Sequence, residues 1–495
     1  MNFDFTANRR AGPDLLITLP VLLLVVFALP WLAFHLAYQQ YVPLIVGVFI
    51  FADICFTFAW WRASVYLFVV YVLVEGFLVN TYSLPALNLL KDAELVLIFF
   101  RLALALIARR TFPVPQTGWV IAFFLFAIYY SSEIFNPLLP SILVGLIGVR
   151  VTLEFFLCFV VGYWFFNDRA QVVRFLRFHN WLSISISIFG VVQYFTGPDL
   201  LLRISPGFER TIFYAYDPNN LSVGYYFRTI STFASSAGFS QYLWVSSLLT
   251  ILLMSISRRT ADRTMGCLAL LAQSCGMLST GGRGPFILLF ASLFLGSWLL
   301  RRLRLAFASA ALLVACFVLS MIFLGPVVRT RFSTILDFDM IRERNTALAV
   351  GEFDEAMTSP IVGLGAGMGC TATLRMFPDA PVVWTENQFA RMRNEGGLAG
   401  LVLFVVVTAA MLIDIWRTAR RLYDPQLKVV GCIAASYCIT NILVFPIGAP
   451  LDVPPVNFYF WFLLGLLYAL VRTEMTEAAQ GYKPATEQPW WSFIR

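Results

Sequence analysis

Fourteen stretches of some twenty apolar residues, joined by polar connections, dominate this sequence and leave it few ways to fold. They lie at approximately 14–35, 42–60, 63–80, 93–109, 117–131, 141–166, 176–196, 237–256, 264–280, 284–300, 304–324, 397–416, 428–446 and 457–471. A helix of about 20 such residues is long enough to cross the hydrocarbon of a bilayer. The stretches at 93–109 and 117–131 are short, so the expected fold is an all-α polytopic membrane protein of about 12–14 transmembrane helices. Composition agrees: 59% of the residues are hydrophobic, 13% are charged, and mean hydropathy is +0.78.

The formal charge of +7 reads as an orientation signal, because no basic stripe of the nucleic-acid type is present. Lys and Arg instead collect in alternate connections: Arg62, Arg109 and Arg110, Arg169 and Arg174, Arg258 to Arg263, Arg301 to Arg304, Arg417 to Lys428, and Arg472. Lys91 is a mild exception. The positive-inside rule makes those connections cytosolic and, with an even number of spans, both termini too. The first apolar stretch follows Arg9 and Arg10 and is long for a signal-peptide core, so it is expected as an uncleaved helix. Seven of eight cysteines fall in apolar stretches and there are only two histidines, so neither a disulfide framework nor a metal cluster is expected.

Two connections, 197–236 and 325–395, are too polar for hydrocarbon, and the charge pattern puts both outside. The chain then divides into N-terminal transmembrane helices (1–196), a first external loop (197–236), central transmembrane helices (237–324), a large external loop (325–395), C-terminal transmembrane helices (396–472) and a cytosolic tail (473–495). The first loop, dense in Pro, Gly, Asn and aromatics, is expected to be ordered on the membrane surface, its Tyr and Phe either anchoring to headgroups or stacking on sugar rings. The second gathers seven arginines and nine carboxylates. It is expected to hold one helix over RERNTALAVGEFDEAM (342–357), ended by Ser359-Pro360, and then a flexible IVGLGAGMG.

Several residues have the character of a site. LSTGGRGPF (278–286) surrounds Arg283 with Gly281, Gly282 and Gly284 at the external start of a helix, a cradle for a phosphate or simply a tight turn with an interfacial arginine. Arg228, Arg342 and Arg344 fall on the same face, so the four guanidinium groups are candidates to converge on one polyanionic headgroup. Asp53, Glu75, Arg101, Arg150 and Glu154 lie within apolar stretches, as members of a polar pathway or as structural pairs; Arg150 and Glu154 share a helix face, and Asp53 is a candidate partner of Arg101.

The order RTISTF…GFSQYL, STGGRG opening a helix, an external loop with Arg344, SPIVGLGAG, and ENQFARMRNEGGLAGLVLF resembles the O-antigen ligase and Wzy-type polysaccharide polymerase family over about the C-terminal 270 residues. Asn387, Glu395, Gly397 and Gly400 fit the last block, whereas Gly282 replaces a serine and Glu386 stands where ligases carry a histidine. The resemblance implies a GT-C-like membrane glycosyltransferase at the external face of a bacterial inner membrane. It would join undecaprenyl-diphosphate-linked repeat units by inverting transfer with no cofactor and no metal. The missing histidine favours polymerase over the alternative, a ligase delivering polymer to a lipid A-core or other acceptor. In a different class, a lipid-linked oligosaccharide flippase remains the rival reading. The implied partners are the lipid-linked donor and acceptor, membrane lipids, and a flippase and chain-length regulator, with no nucleic acid. Glu386 is the expected base, or else a partner of Arg391 or Arg393 or an N-cap; Arg283 acts on the leaving diphosphate with Arg228, Arg342 and Arg344, and Asn387, Glu395, Gly282 and Gly284 support them.

Overall fold

The structure is a computed structural model that describes residues 41–82, 87–112, 114–209, 211–212, 227–333, 338–377 and 379–480. The expected first span at 14–35, much of the first external loop and the end of the tail lie outside the described residues. The remaining thirteen expected spans all appear as helices. They are α1 (Tyr41–Tyr82), α2 (Asn88–Ala108), α3 (Gly118–Ser132), α4 (Ile142–Leu153) with α5 (Phe156–Phe165), α6 (Arg169–Thr196), α7 (Ser236–Ile256), α8 (Thr260–Ser279), α9 (Gly284–Leu299), α10 (Leu303–Leu324), α11 (Gln388–Arg421), α12 (Pro425–Val444) and α13 (Pro454–Ala479). With α4 and α5 taken together, nine helices among the described residues are long and apolar enough to cross a membrane. The protein is an all-α polytopic membrane protein.

α1 contains two expected spans. Its backbone leaves helical geometry at Trp60, and the hydroxyls of Thr57 and Ser64 meet at 2.9 Å, although residues seven apart in a straight helix are separated by about 10 Å. Glu94 of α2 reaches Thr57 and Phe100 packs on Phe58, while Lys91 of the same helix reaches Glu75. The chain therefore turns back at Trp60, beside Arg62, and both arms lie along α2.

At one end of the bundle Arg169 bridges Asp424 at 3.0 Å and Glu477 at 2.8 Å, and Arg177 pairs with Asp262 at 2.7 Å. Arg472 lies over the rings of Tyr163 and Trp164. These contacts gather the arginine-bearing connections together, and the long polar connections emerge at the opposite end. Cysteine labelling checks the orientation. A reagent added from outside should modify Asp379→Cys and spare Arg259→Cys, Arg302→Cys and Arg420→Cys; external labelling at Arg302→Cys would break the common face assigned to the four arginines.

Three loop expectations need correction. The run IVGLGAGMG is not a flexible link: Ile361 and Val362 are exposed, but from Gly363 onward it is a largely buried seam against α11. Leu364 N–H donates to Asn394 O at 2.7 Å, Gly365 N–H to Glu395 O at 3.0 Å, and Leu398 N–H to Ile361 O at 2.9 Å. These bonds occupy backbone groups around the break in α11 at Gly397, where φ is 62°, and an unpaired group there would be costly. The approach requires glycine on both sides: a Cβ on Gly363 would lie 2.4 Å from Gly397 N, and one on Gly397 would lie 2.1 Å from Ile361 O.

Second, the end of the 325–395 connection is not loop: residues 388–395 form the first turns of α11, ahead of its break at Gly397, and Arg391, Arg393, Asn394 and Glu395 are buried within it. Third, the end of the first loop is not surface cover. Thr229 and Ser231 are fully enclosed, the Ser231 backbone exchanging hydrogen bonds with the Gln193 amide at 2.8 and 3.0 Å. The expected loop helix is present as Phe338–Thr346, a π-helical turn at Ala347–Gly351 and Glu352–Met357, and it ends just before Ser359-Pro360 as expected.

Candidate functional site

The end of the bundle opposite the arginine-bearing connections holds several of the expected residues on a few fixed supports. Asn387 is the N-cap of α11: its side-chain oxygen accepts from Phe389 N–H at 2.9 Å and Ala390 N–H at 3.1 Å. Its Nδ2 donates to Leu348 O at 3.1 Å, and its backbone N–H donates to Glu352 Oε2 at 2.8 Å. Leu348 belongs to the π-helical turn, a geometry that loosens carbonyls from the helical ladder. Burial raises the Glu352 carboxyl above the usual range, and the Asn387 N–H pulls it back. One side chain thus fixes both the start of α11 and the loop helix over it.

That clamp sets the position of the next residue. Glu386 faces Arg344 of the loop helix at 3.5 Å, with side-chain exposures of 36% and 67%. A pair this exposed adds at most about 1 kcal/mol of stability, so it orients the carboxylate and leaves it open to a ligand. Arg391 and Arg393, the other proposed partners of Glu386, turn elsewhere: Arg391 to Glu395 at 3.1 Å, and Arg393 to the carbonyls of Pro360 and Ser359, each at 2.8 Å. Arg342 is exposed on the same loop helix.

The glycine hairpin lies at the same end of the bundle. Arg228 Nε donates to Thr280 O at 2.8 Å, and Thr229 and Ser279 join hydroxyl to hydroxyl at 2.7 Å. Gly281 takes φ of 67°, and Gly282 N–H donates to Thr280 Oγ1 at 3.0 Å. Arg283 occupies the N-cap position of α9, followed by Gly284 and Pro285. A Cβ on Gly284 would meet nothing within 4 Å, so the approach to the start of α9 is open. Further down, Gly296 of α9 packs on Ile433 and Ser436 of α12. Counting back to Gly284 rises about 18 Å and carries Arg283 to the C-terminal end of α12. There Phe445 O accepts Gln388 N–H at 2.8 Å, which places the hairpin and Glu386 on one face of the bundle.

Glu395 lies below that face, fully buried. Its carboxylate accepts from Arg391 Nε at 3.1 Å, from Gly369 N–H at 3.0 Å and from the Tyr130 hydroxyl. Arg391 also reaches Asp452 at 3.5 Å and Thr152 at 3.2 Å, and Asp452 accepts from Thr371 N–H at 2.9 Å. Five separate parts of the chain are tied here, so Glu395 acts as a structural support for the site. The roles of Arg391, Asp452, Tyr130 and Thr152 were not singled out in the sequence. The i,i+4 spacing of Arg391 and Glu395 was the one available signal.

The charges within the N-terminal helices form their own network. Lys91 pairs with Glu75 at 2.6 Å and Asp92 at 3.3 Å, and Arg150 joins Asp92 and Glu154. The i,i+4 pair is thus present as expected. Asp53 lies beside Glu94, and Arg101 Nε donates to Phe58 O at 3.0 Å. Among the described residues no cluster of His, Cys, Asp and Glu is arranged to hold a metal.

No protein-family model matches this chain, and no curated protein matches it either. The arrangement itself therefore carries the functional argument. Guanidinium groups at an accessible helix start, together with an open carboxylate on a common face, are suited to stabilising a leaving diphosphate while a hydroxyl is deprotonated.

Proposed function

We propose that this protein is a membrane glycosyltransferase that joins polyprenyl-diphosphate-linked glycan repeat units at the external face of a bacterial inner membrane, with its termini in the cytosol. What supports the reading is that four sequence-distant elements lie at one end of the bundle: Arg228 bonded to Thr280, the Arg283 hairpin at the start of α9, Arg344, and Glu386 held against it. In the proposed reaction the acceptor hydroxyl attacks the anomeric carbon of the donor with inversion. The bond from that carbon to the diphosphate oxygen breaks, Glu386 takes the hydroxyl proton, and the arginines hold the departing diphosphate. The sequence blocks that resemble polysaccharide polymerases supply the same elements, which favours a second lipid-linked glycan as acceptor.

Glu386→Gln tests the base. It preserves size and the contact to Arg344 but cannot take a proton, so chain extension by the purified protein should fall about a hundredfold with donor binding intact. Glu386→His should retain partial activity. Near-normal extension by the Gln variant would remove Glu386 from the chemistry.

A further inference from the structure

The glycosyl-transfer reading leaves the carboxyls of the N-terminal helices without a task. Three of them are answered by cations: Lys91 binds Glu75 at 2.6 Å and Asp92 at 3.3 Å, and Arg150 binds Asp92 and Glu154. Asp53 and Glu94 are left to each other. Asp53 lies on the first arm of α1 and Glu94 on α2, and their carboxyl groups are within hydrogen-bonding reach.

Glu94 is 5% exposed. Its Oε1 is reached by the Thr57 hydroxyl at 3.3 Å, and that hydroxyl also donates to Ser64 at 2.9 Å. Its Oε2 is buried and accepts from no donor among the described residues. Arg101, two turns further along α2, turns to the Phe58 carbonyl at 3.0 Å. Tyr71 and Glu75, on the second arm of α1, are the other titratable groups that face the pair. Two ionised carboxylates here would repel each other in surroundings that penalise even one unpaired charge. Among the described residues no His, Cys, Asp or Glu joins them to make a metal site. A proton needs no cavity. Placed between Glu94 Oε2 and an Asp53 oxygen, it gives the orphan oxygen a partner, removes one charge and turns the repulsion into a charge-assisted hydrogen bond.

We infer that Asp53 and Glu94 form a proton-binding site that fastens the first arm of α1 to α2, one proton being shared by the two carboxyls and gained or lost by the pair as a unit. The site does not rest on the glycosyl-transfer reading, so failure of either leaves the other standing.

Infrared difference spectroscopy of the purified full-length protein in nanodiscs tests the site. A protonated carboxyl has a C=O stretching band of its own, apart from those of a carboxylate. At neutral pH Asp53→Asn and Glu94→Gln should each remove the intensity of one protonated carboxyl per molecule, and the double variant should remove no more than either. In the parent this intensity should fade as the pH is raised. Two independent carboxylic acids would lose intensity additively, and two ionised groups would lose none; either result would overturn the proposal. A second measurement uses the parent alone, so it does not depend on how the variants fold. The lipid-soluble reagent N,N′-dicyclohexylcarbodiimide takes up a protonated carboxyl across one C=N bond, the acid proton passing to nitrogen and the acyl group then migrating to give a stable N-acylurea. Asp53 is only half-buried and open to it. Mass spectrometry should find no more than one label across the pair at neutral pH, and labelling should fall as the pH rises. Absent labelling, or labelling that does not change with pH, would contradict a shared proton.

Discussion

Replacing Arg391 by Met should destabilise the protein by about 3–5 kcal/mol, the loss expected when one partner of a buried ion pair is removed. The side chain is 1% exposed, and it is the cation between Glu395 and Asp452. Without it two carboxylates face each other in a buried space, and the Thr152 hydroxyl loses a donor. The effect should spread beyond α11, since Glu395 also fixes Gly369 of the glycine seam and Tyr130 of α3. Thermal unfolding of the purified protein in detergent measures it. Arg391→Met combined with Glu395→Gln and Asp452→Asn should recover part of the loss, because the triple variant leaves no unpaired charge. A single variant as stable as the parent would mean that the network is not a structural tie.

Replacing Arg283 by Ala should leave the fold intact and lower glycosyl transfer about a hundredfold to a thousandfold, the cost of one preorganised donor to a developing anion. The reason lies in its place: it occupies the N-cap position of α9, where the helix dipole and the open space beside Gly284 both favour an anion. Arg283→Lys should restore little, because an ammonium cannot make the planar two-oxygen contact of a guanidinium. Arg228 is braced on the Thr280 carbonyl, and Arg342 and Arg344 are exposed on the loop helix; their single substitutions should show smaller, overlapping losses. Steady-state extension rates at matched protein levels check the series. Full activity in Arg283→Ala would reduce the hairpin to a turn.

The spans were legible because their signal is additive: twenty apolar residues outweigh any single exception, and even the reversal at Trp60 is marked by Arg62 at the break between two runs. The loop helix was legible from its periodicity and the Ser359-Pro360 stop. The glycine seam was misread because glycine frees a backbone and also lets two backbones touch. Local sequence does not distinguish Gly363 as a hinge from Gly363 pressed against Gly397. Similarly, 385–395 looked aqueous on its charge, whereas Arg391 and Glu395 neutralise each other inside the protein with help from Asp452, some sixty residues away in sequence. Pairings of that kind depend on which helices become neighbours.

Purified protein in nanodiscs, supplied with lipid-linked repeat units and no other protein, gives the most direct test of glycosyl transfer at the external face. The expected result is a ladder of lengthening lipid-linked glycans with release of the polyprenyl diphosphate, unaffected by a metal chelator and lost in Arg283→Ala. Repeat units that remain single while crossing the bilayer of a proteoliposome would contradict it and make the protein a transporter.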